Sequence, residues 1–487
     1  MRRVKEHYTL KEQLEKRFGR PVNKLFFIGI GGSSMSGLAG IALDQGFQVE
    51  GSDMVESSYT GKLKARHVII HIGHKYENIP EDTDLVVFSA AIHEDNPDMI
   101  RAKDLGIPRV ERSDYLGLLS NVFSKTIGVA GTHGKTTTSS MIAALLHYAD
   151  FDPSVSIGGK VPEIGGNACL GHSDYLVIES CEYVDSFLKT SHYIGIITNI
   201  EEDHLDYFKG GLKQIKQSFH DFGAILPPDG LMIAWGDSQD VMDAVEGLRC
   251  PVVTYGLGKD NDWTADKITY NDMGNPAFDV YHHGEWHGHY QLRIPGEHNV
   301  LNALACIACS DFLGIGTETV ETTLDHFGGA KRRFEFRGAV DGINIYEDYA
   351  HHPTELKVVI DACLNHAHNK LWVIFQPHTY SRTYYLFDEF IDAFKNVDKI
   401  ILNDIYSDRE GNDWNIYSED LAKNIKAKYH KPTVVFSEFD TIVKFLTDNL
   451  EPDDLVLVAG SQTINKVAFM LFDALKDKYP NALIKEP

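Results

Sequence analysis

The sequence predicts an α/β protein of three domains in series, and three observations carry that expectation. At 487 residues the chain exceeds what one hydrophobic core ordinarily organises, since domains run to about 150 residues. Short apolar runs alternate with helix-like segments along its length, as the strands and crossover helices of parallel sheets do. Two glycine-rich turns, FIGIGG and VAGTHGKTTT, each follow a strand-like run and open a helix-like one, which aims backbone N–H groups at a bound phosphate.

The first block reads as strand KLFFIGI, glycine turn, helix-like SMSGLAGIALDQG and strand QVEGSD ending at Asp53, a β-α-β unit. Apolar VII and DLVVFSA continue it, and the block closes near residue 124. A second series runs through TIGVAG, YLVIES, YIGIITNI, LMIAW and VVTYG and ends with the Ala-rich helix after Gly296. GGAKRRFEFRG, residues 328–338, reads as a hinge, because the pattern then restarts with INIYEDY, LWVIFQ, KIILNDI, TVVFS and DLVLVAG.

Hydrophobic residues at 43% and charged residues at 24% suit a chain folded throughout. A net charge of -24 disfavours nucleic acid and anionic membranes as partners. No run of about 18 apolar residues occurs, and MRRVKEHYTLKEQLEKRFG lacks the apolar centre of a signal peptide, so a soluble, cytoplasmic protein is expected. Of the six cysteines, Cys306 and Cys309 have C-x-x-C spacing but lie in the helix-like run NALACIACSDFL with no second ligand pair; core cysteines are expected there.

In GTHGKTTT, Gly131, Thr132 and Gly134 form the turn, Lys135 is placed to neutralise β/γ-phosphates, and Thr136 and Thr137 offer hydroxyls to the Mg²⁺ that travels with ATP. Val129 stands where the longer P-loop pattern has its first glycine, so only the shorter loop is met. Two strands then end in acids, one at Glu179 and Glu182, the other in Glu201, Glu202, Asp203, His204 and Asp206, where sheet C-termini place ligands. The N-terminal cluster Gly29, Gly31 and Ser34 with Asp53 is open to two readings: a nicotinamide dinucleotide, or the diphosphate of a UDP-sugar.

The order FIGIGG, GTHGKTTT, TNIEEDHLDY, GEHNVLNALA, RRFE, EDYAHHPTE and FQPHTYSRT resembles the Mur ligases from about residue 24 to about 460. That resemblance implies a Rossmann-like UDP-sugar-binding domain at 1–124, a central P-loop ATPase-like domain with a mostly parallel sheet at 125–330, and a Rossmann-like amino-acid domain at 331–487. HHPTE and FQPHTYSRT imply the member activity that joins L-alanine to UDP-N-acetylmuramate with ATP and Mg²⁺, through an acyl phosphate. A sister ligase that recycles murein peptide onto the same UDP-sugar is the alternative.

The resemblance also implies roles. UDP-N-acetylmuramate would meet Gly29, Gly31, Gly32, Ser33, Met35, Ser52 and Asp53, with His74, Ser89, Ala90 and Asn96. ATP would meet Lys135 and Thr136, then His298, Asn299, Asn302, Arg333, Asp348 and His351. Thr136 and Glu179 would hold one Mg²⁺ and His204 a second, with Glu201 and Glu202 both open as further ligands. Tyr349, His378 and Arg382 would form the alanine pocket, Arg382 taking the carboxylate bidentately. Lys135, His204 and Arg382 are the expected catalytic residues; His204, His351 and His378 stay open as the base. Lys213 and Lys216 follow the acidic loop, with no ground to choose either as a carbamoylated metal bridge. The expected assembly is a monomer or homodimer. Two other classes remain as contrasts: a dehydrogenase leaves GTHGKTTT unused, and a P-loop switch uses only the centre.

Overall fold

Each apolar run ends at a turn that the next helix reverses, and the result is three separate β-sheets along the chain. The computed structural model describes residues 9–271, 273–407, 410–461 and 463–486.

The first sheet is built from β1 (Lys24–Ile28), β2 (Gln48–Asp53), β3 (Ile69–Ile72), β4 (Leu85–Phe88) and β5 (Arg109–Glu111). Its order β3-β2-β1-β4-β5, with every pair parallel, reverses direction at β1 and so opens a crevice there, the usual place for a ligand. The FIGIGG turn lies at that point.

The central sheet comprises β6 (Lys125–Ala130), β7 (Ser154–Val161), β8 (Gly166–Cys169), β9 (Tyr175–Glu179), β10 (Ile194–Ile197), β11 (Leu231–Trp235), β12 (Val252–Gly256), β13 (Trp263–Tyr270), β14 (Pro276–His282) and β15 (Glu285–Gln291). Strands β7, β9, β6, β10, β11, β12 and β13 are parallel neighbours, while β8, β14 and β15 add antiparallel edges. The sequence reading did not anticipate β7, β8 or β13–β15. In β15, EWHGHYQ alternates exposed and buried positions in its second half, a half-buried edge strand that no continuous apolar run announces.

The third sheet holds β16 (Glu335–Val340), β17 (Ile343–Asp348), β18 (Leu371–Phe375), β19 (Lys399–Leu402), β20 (Thr433–Val435), β21 (Leu455–Ala459) and β22 (Ile484–Lys485), in the order β20-β19-β18-β21-β17-β16-β22. The segment expected as a hinge, 328–338, overlaps this sheet. From Glu335 onward the chain is already strand, because Phe336 pairs antiparallel with Tyr346. Arg332 is anchored to this sheet by Glu347 Oε1 at 2.6 Å and the Gly460 carbonyl at 2.9 Å.

Apolar faces set the packing. Met35, Leu38 and Ile41 of the helix Ser33–Asp44 join Leu176 and Ile178 of β9 in one core, so the first block sits directly on the central sheet. The helix Glu297–Phe312 is buried along most of its length, with Cys306 and Cys309 inside the central core as unbonded thiols. Among the described residues no helix is long and apolar enough to cross a membrane.

Candidate active site

Strand β6 delivers the chain to Gly131, and the turn closes at Gly134, whose φ of +79° is a left-handed conformation that L side chains rarely adopt. A Cβ there would also lie 2.7 Å from Asn302 Oδ1. The helix Lys135–Tyr148 then begins without a side-chain cap, leaving its first N–H groups open to an anion. The end of β10 holds the turn in place: His133 N donates to Asn199 Oδ1 at 2.8 Å, and Glu201 N donates to Thr132 Oγ1 at 2.9 Å.

Lys135 folds back over its own loop, donating to the carbonyls of Gly131 and Thr132 and to Glu182 Oε2, the last at 3.0 Å. Burial opposes its charge, but Glu182, Cys181 and Glu179 outweigh that and raise its pKa, so the ammonium stays protonated. Beside it Thr136 Oγ1 donates to Glu179 Oε2 at 2.8 Å, and the same oxygen accepts the Gly158 N–H at 2.9 Å. A hydroxyl and a carboxylate at the phosphate loop are hard oxygen donors, the set that suits Mg²⁺. His204 lies further along, its Nε2 3.9 Å from Glu182 Oε1 and 3.5 Å from Asp203 Oδ2. Burial lowers its pKa, Asp203 and Glu182 opposing.

A cavity of about 230 Å³ opens beside the loop. The central domain lines it with Gly134, Thr137, His298, Asn299 and Asn302, the third block with Arg333, Asp348 and Glu355, and Trp235, Tyr255 and Ile294 supply apolar walls. Asn302 is fixed by Thr138 Oγ1 at 3.1 Å and by Asn299 at 3.0 Å. Burial, with Arg333, lowers His298 to about 4 and keeps it neutral. Burial pushes Asp348 up to about 6, although it accepts the amides of Phe334 at 2.7 Å and Ala350 at 2.6 Å. His351 is not among the lining residues; its ring lies 6.0 Å from that of His378.

A second cleft of about 590 Å³ is walled by all three blocks: Ser89 and Ala90 from the first, Asp203 and His204 from the centre, Ser381, Arg382 and Glu410 from the third. Arg382 was expected to take a substrate carboxylate with its fork, but Nε and Nη2 each donate to Asp203 at 3.1 Å. A protein carboxylate at the cleft wall meets the fork's geometry. Although burial pushes Asp203 up, Arg382 and His204 hold it well below the usual carboxylate range. Tyr349 is not among the residues lining this cleft; its ring lies beneath the Arg332 and Arg333 guanidinium groups at 4.9 and 5.3 Å.

In the first block Gly29, Gly31 and Gly32 line the turn, and Gly31 N donates to Asp53 Oδ2 at 2.8 Å. Ser33 Oγ donates to the Gly158 carbonyl at 3.0 Å. Four of the residues expected to meet the UDP-sugar have these surroundings in the protein. The Met35 side chain is 2% exposed, in the core. Asn96 caps the helix Pro97–Asp104 by accepting the Asp98 N–H at 2.9 Å. Ser52 is fully buried and donates to Asp98 Oδ2 at 2.7 Å, while His74 Nδ1 lies 2.6 Å from the same oxygen. Lys216 pairs with Asp240 and Asp243.

Asp98, His133, Thr354 and Glu355 were given no role from the sequence. His133 lies inside GTHGKT and Glu355 ends HHPTE, so the motifs held them; Asp98 follows the helix-opening Asn-Pro and carries no local signal.

Three α/β blocks gathered around a glycine–lysine phosphate loop define a multidomain nucleotide-binding enzyme. The chain belongs to the Mur ligase family: residues 24–124 match the Mur ligase family catalytic domain, 129–310 the Mur ligase middle domain, and 332–462 the Mur ligase glutamate ligase domain. It is 44% identical over 444 residues to the UDP-N-acetylmuramate–L-alanine ligase of Caldanaerobacter subterraneus, covering 91% of this chain and 96% of that protein. The enzyme of that name from Acetivibrio thermocellus is 42% identical over 468 residues, covering 96% and 98%. The crystal structure of the UDP-N-acetylmuramate-alanine ligase of Thermotoga maritima superposes with a TM-score of 0.81 at 26% identity, covering 93% of this chain and 99% of that one.

Proposed function

We propose that the protein joins L-alanine to the lactyl carboxylate of UDP-N-acetylmuramate, using ATP and giving ADP, phosphate and UDP-N-acetylmuramoyl-L-alanine, in the cytoplasm, as a step of peptidoglycan biosynthesis. The observation that carries this reading is a chain of polar side chains running from the phosphate loop to the cleft that all three blocks wall. Lys135 meets Glu182 at 3.0 Å, Glu182 lies 3.9 Å from His204, His204 3.5 Å from Asp203, and Asp203 3.1 Å from Arg382. A phosphoryl group held at the loop thus lies at the entrance to a cleft that three domains close.

An amide does not form from a carboxylate and an amine while oxide is the leaving group, so the carboxylate must first be activated. The lactyl oxygen attacks the γ-phosphorus and ADP leaves. Lys135 and the open amides of the helix Lys135–Tyr148 neutralise the oxygens, with no covalent protein nucleophile. Thr136 and Glu179 would hold Mg²⁺, which would supply positive charge to offset that of the phosphate oxygens. The neutral amine of alanine then attacks the acyl phosphate carbonyl, and phosphate departs. Asp203, held by Arg382, and the cleft wall would position the amino acid; a neutral His204 would receive a proton. Asn299, Asn302, His298 and Asp348 would bind the nucleoside, and the first turn with Asp53 the UDP-sugar. Water is kept from the acyl phosphate by closure of the third block about residues 328–334.

Phosphate release from ATP and Mg²⁺ tests this in four mixtures: enzyme alone, with UDP-N-acetylmuramate, with L-alanine, and with both. Release that needs both substrates, with a UDP-sugar alanine seen by mass spectrometry, supports the reading. Release with a murein tripeptide in place of alanine points to the recycling ligase, and release indifferent to either substrate overturns both.

A further inference from the structure

Beside the phosphate loop, and separate from the Thr136–Glu179 pair, three side chains from three segments converge. His133 comes from the loop, Glu201 from the chain after β10, and His352 from the start of the helix Pro353–Leu364. One ligand atom from each lies within 4.8 Å of the others. His133 Nε2 is 3.5 Å from Glu201 Oε2, and the two imidazole centroids are 4.5 Å apart. Buried imidazole nitrogens normally find hydrogen-bond partners. Here the His133 nitrogens meet only the carboxylates of Glu201 and Glu355, at 3.5 and 3.3 Å, and His352 Nε2 is buried without a hydrogen bond.

We propose that His133, Glu201 and His352 form a site for a transition-metal ion of the zinc class, bridging the central and third domains at the edge of the nucleotide pocket. Two imidazoles and one carboxylate suit Zn²⁺ or Co²⁺ and discriminate against Mg²⁺, which prefers oxygen ligands and keeps its waters. Metal–ligand bonds of about 2.0–2.2 Å hold tetrahedral ligand atoms roughly 3.3–3.5 Å apart. The His133–Glu201 separation already meets this, and His352 has to approach by little more than 1 Å, roughly a side-chain rotation.

The groups behind the ligands fit a metal as well. With Nε2 of His133 on the ion, its Nδ1–H points at Glu355 Oε1, 3.3 Å away, the carboxylate–histidine–metal arrangement that fixes a ligating ring. Thr354 Oγ1 donates to Glu201 Oε2 at 2.7 Å and orients that carboxylate. Binding through His352 Nε2 gives up the long 3.3 Å contact from Thr354 N to His352 Nδ1. The three side chains adjoin the cavity that His133, Glu201, Thr354 and Glu355 line, from which a fourth ligand would come. The ion and a nucleotide therefore compete for that space, and the ion ties the third domain to the centre while the pocket is empty.

The test is a Zn²⁺ titration of the dialysed full-length protein without nucleotide, read against a chromophoric chelator, with Co²⁺ as an absorption probe of the ligand field. The expected result is one Zn²⁺ per chain and a tetrahedral Co²⁺ spectrum. His352→Asn keeps a good helix cap while removing the imidazole, and Glu201→Gln keeps the hydrogen bond from Thr354. Each is expected to weaken Zn²⁺ at least about tenfold, and Glu355→Gln by about tenfold through loss of ring orientation. His283→Gln, on the exposed turn between β14 and β15, is expected to leave the affinity unchanged. ATP is expected to displace the ion. Absence of stoichiometric Zn²⁺, or equal affinity in wild type and a folded His352→Asn variant, would overturn the proposal.

Discussion

The molecule contains two glycine turns with the same backbone plan, and they differ in what their side chains do with it. Both follow a parallel strand and open a helix that lacks a side-chain cap. In the first, the Gly31 amide is already given to Asp53. In the second, an ammonium is folded across the loop and the helix amides stay open. An acid at one turn repels a bare phosphate and favours a hydroxyl or imide donor; a cation at the other collects phosphate charge. The turn geometry is therefore a generic anion cradle, and the one adjacent charge selects the ligand. The β7–β8 hairpin joins the two, since Gly158 accepts from Ser33 at the first turn and donates to Glu179, the partner of Thr136 beside the second.

The largest expected effect breaks the comparison at its charged end. Lys135→Ala should lower kcat by on the order of 10³, the scale of losing a preorganised donor to developing charge, and leave UDP-N-acetylmuramate binding by calorimetry intact. Glu179→Gln should be next, at about 10² in kcat at saturating substrates, with a raised Mg²⁺ requirement as its signature. If added Mg²⁺ restores nothing, Glu179 acts through the Gly158 amide alone.

The acidic end is tested by Asp53→Asn and Gly31→Ala. A Cβ on Gly31 would lie 2.8 Å from Asp53 Oδ2 and 2.9 Å from Thr60 Cγ2, so that substitution displaces the carboxylate. Each should raise KM for the UDP-sugar about tenfold, the loss of one polar contact, with KM for ATP unmoved. Equal shifts in both would mean that the hairpin transmits strain between the turns.

Much of this was legible in the sequence because strands buried on both faces are continuous apolar runs and phosphate loops are local in chain order. β1, β6, β9, β10, β18 and β21 all fall where such runs lie. The edge strands β13–β15 were not seen, since each is only partly buried and none is a continuous apolar run. Lys135, Thr136 and Glu179 come together as their motif predicts, because a loop and the next strand end are neighbours in any such sheet. The Arg382–Asp203 pair, at 3.1 Å, joins residues far apart in sequence, and only the docking of the third domain decides it. Ser52 and His74 meet through Asp98, a buried acid that no motif contains.

The smallest expected effect concerns what lies beneath the second turn. His192 is 4% exposed against Gly128 of β6, with Thr190 Oγ1 at 2.9 Å and Ser180 Oγ at 3.2 Å from Nε2. Burial lowers its pKa to about 3, whereas an unfolded histidine titrates near 6.5. The unfolded state therefore binds the proton first as pH falls, so the stability His192 permits is full above about 6.5 and declines below it. Between pH 7 and pH 5.5 the cost is about 1 kcal/mol. Amide exchange in β6 should accelerate over that interval by roughly the matching sixfold to eightfold beyond intrinsic chemistry, while exchange in β1, under the first turn, should not follow it. His192→Gln, which keeps a hydrogen-bonding group but does not titrate, should remove the difference between the strands. If both strands respond equally, acid is loosening the molecule elsewhere and the two turns stand on equally firm ground.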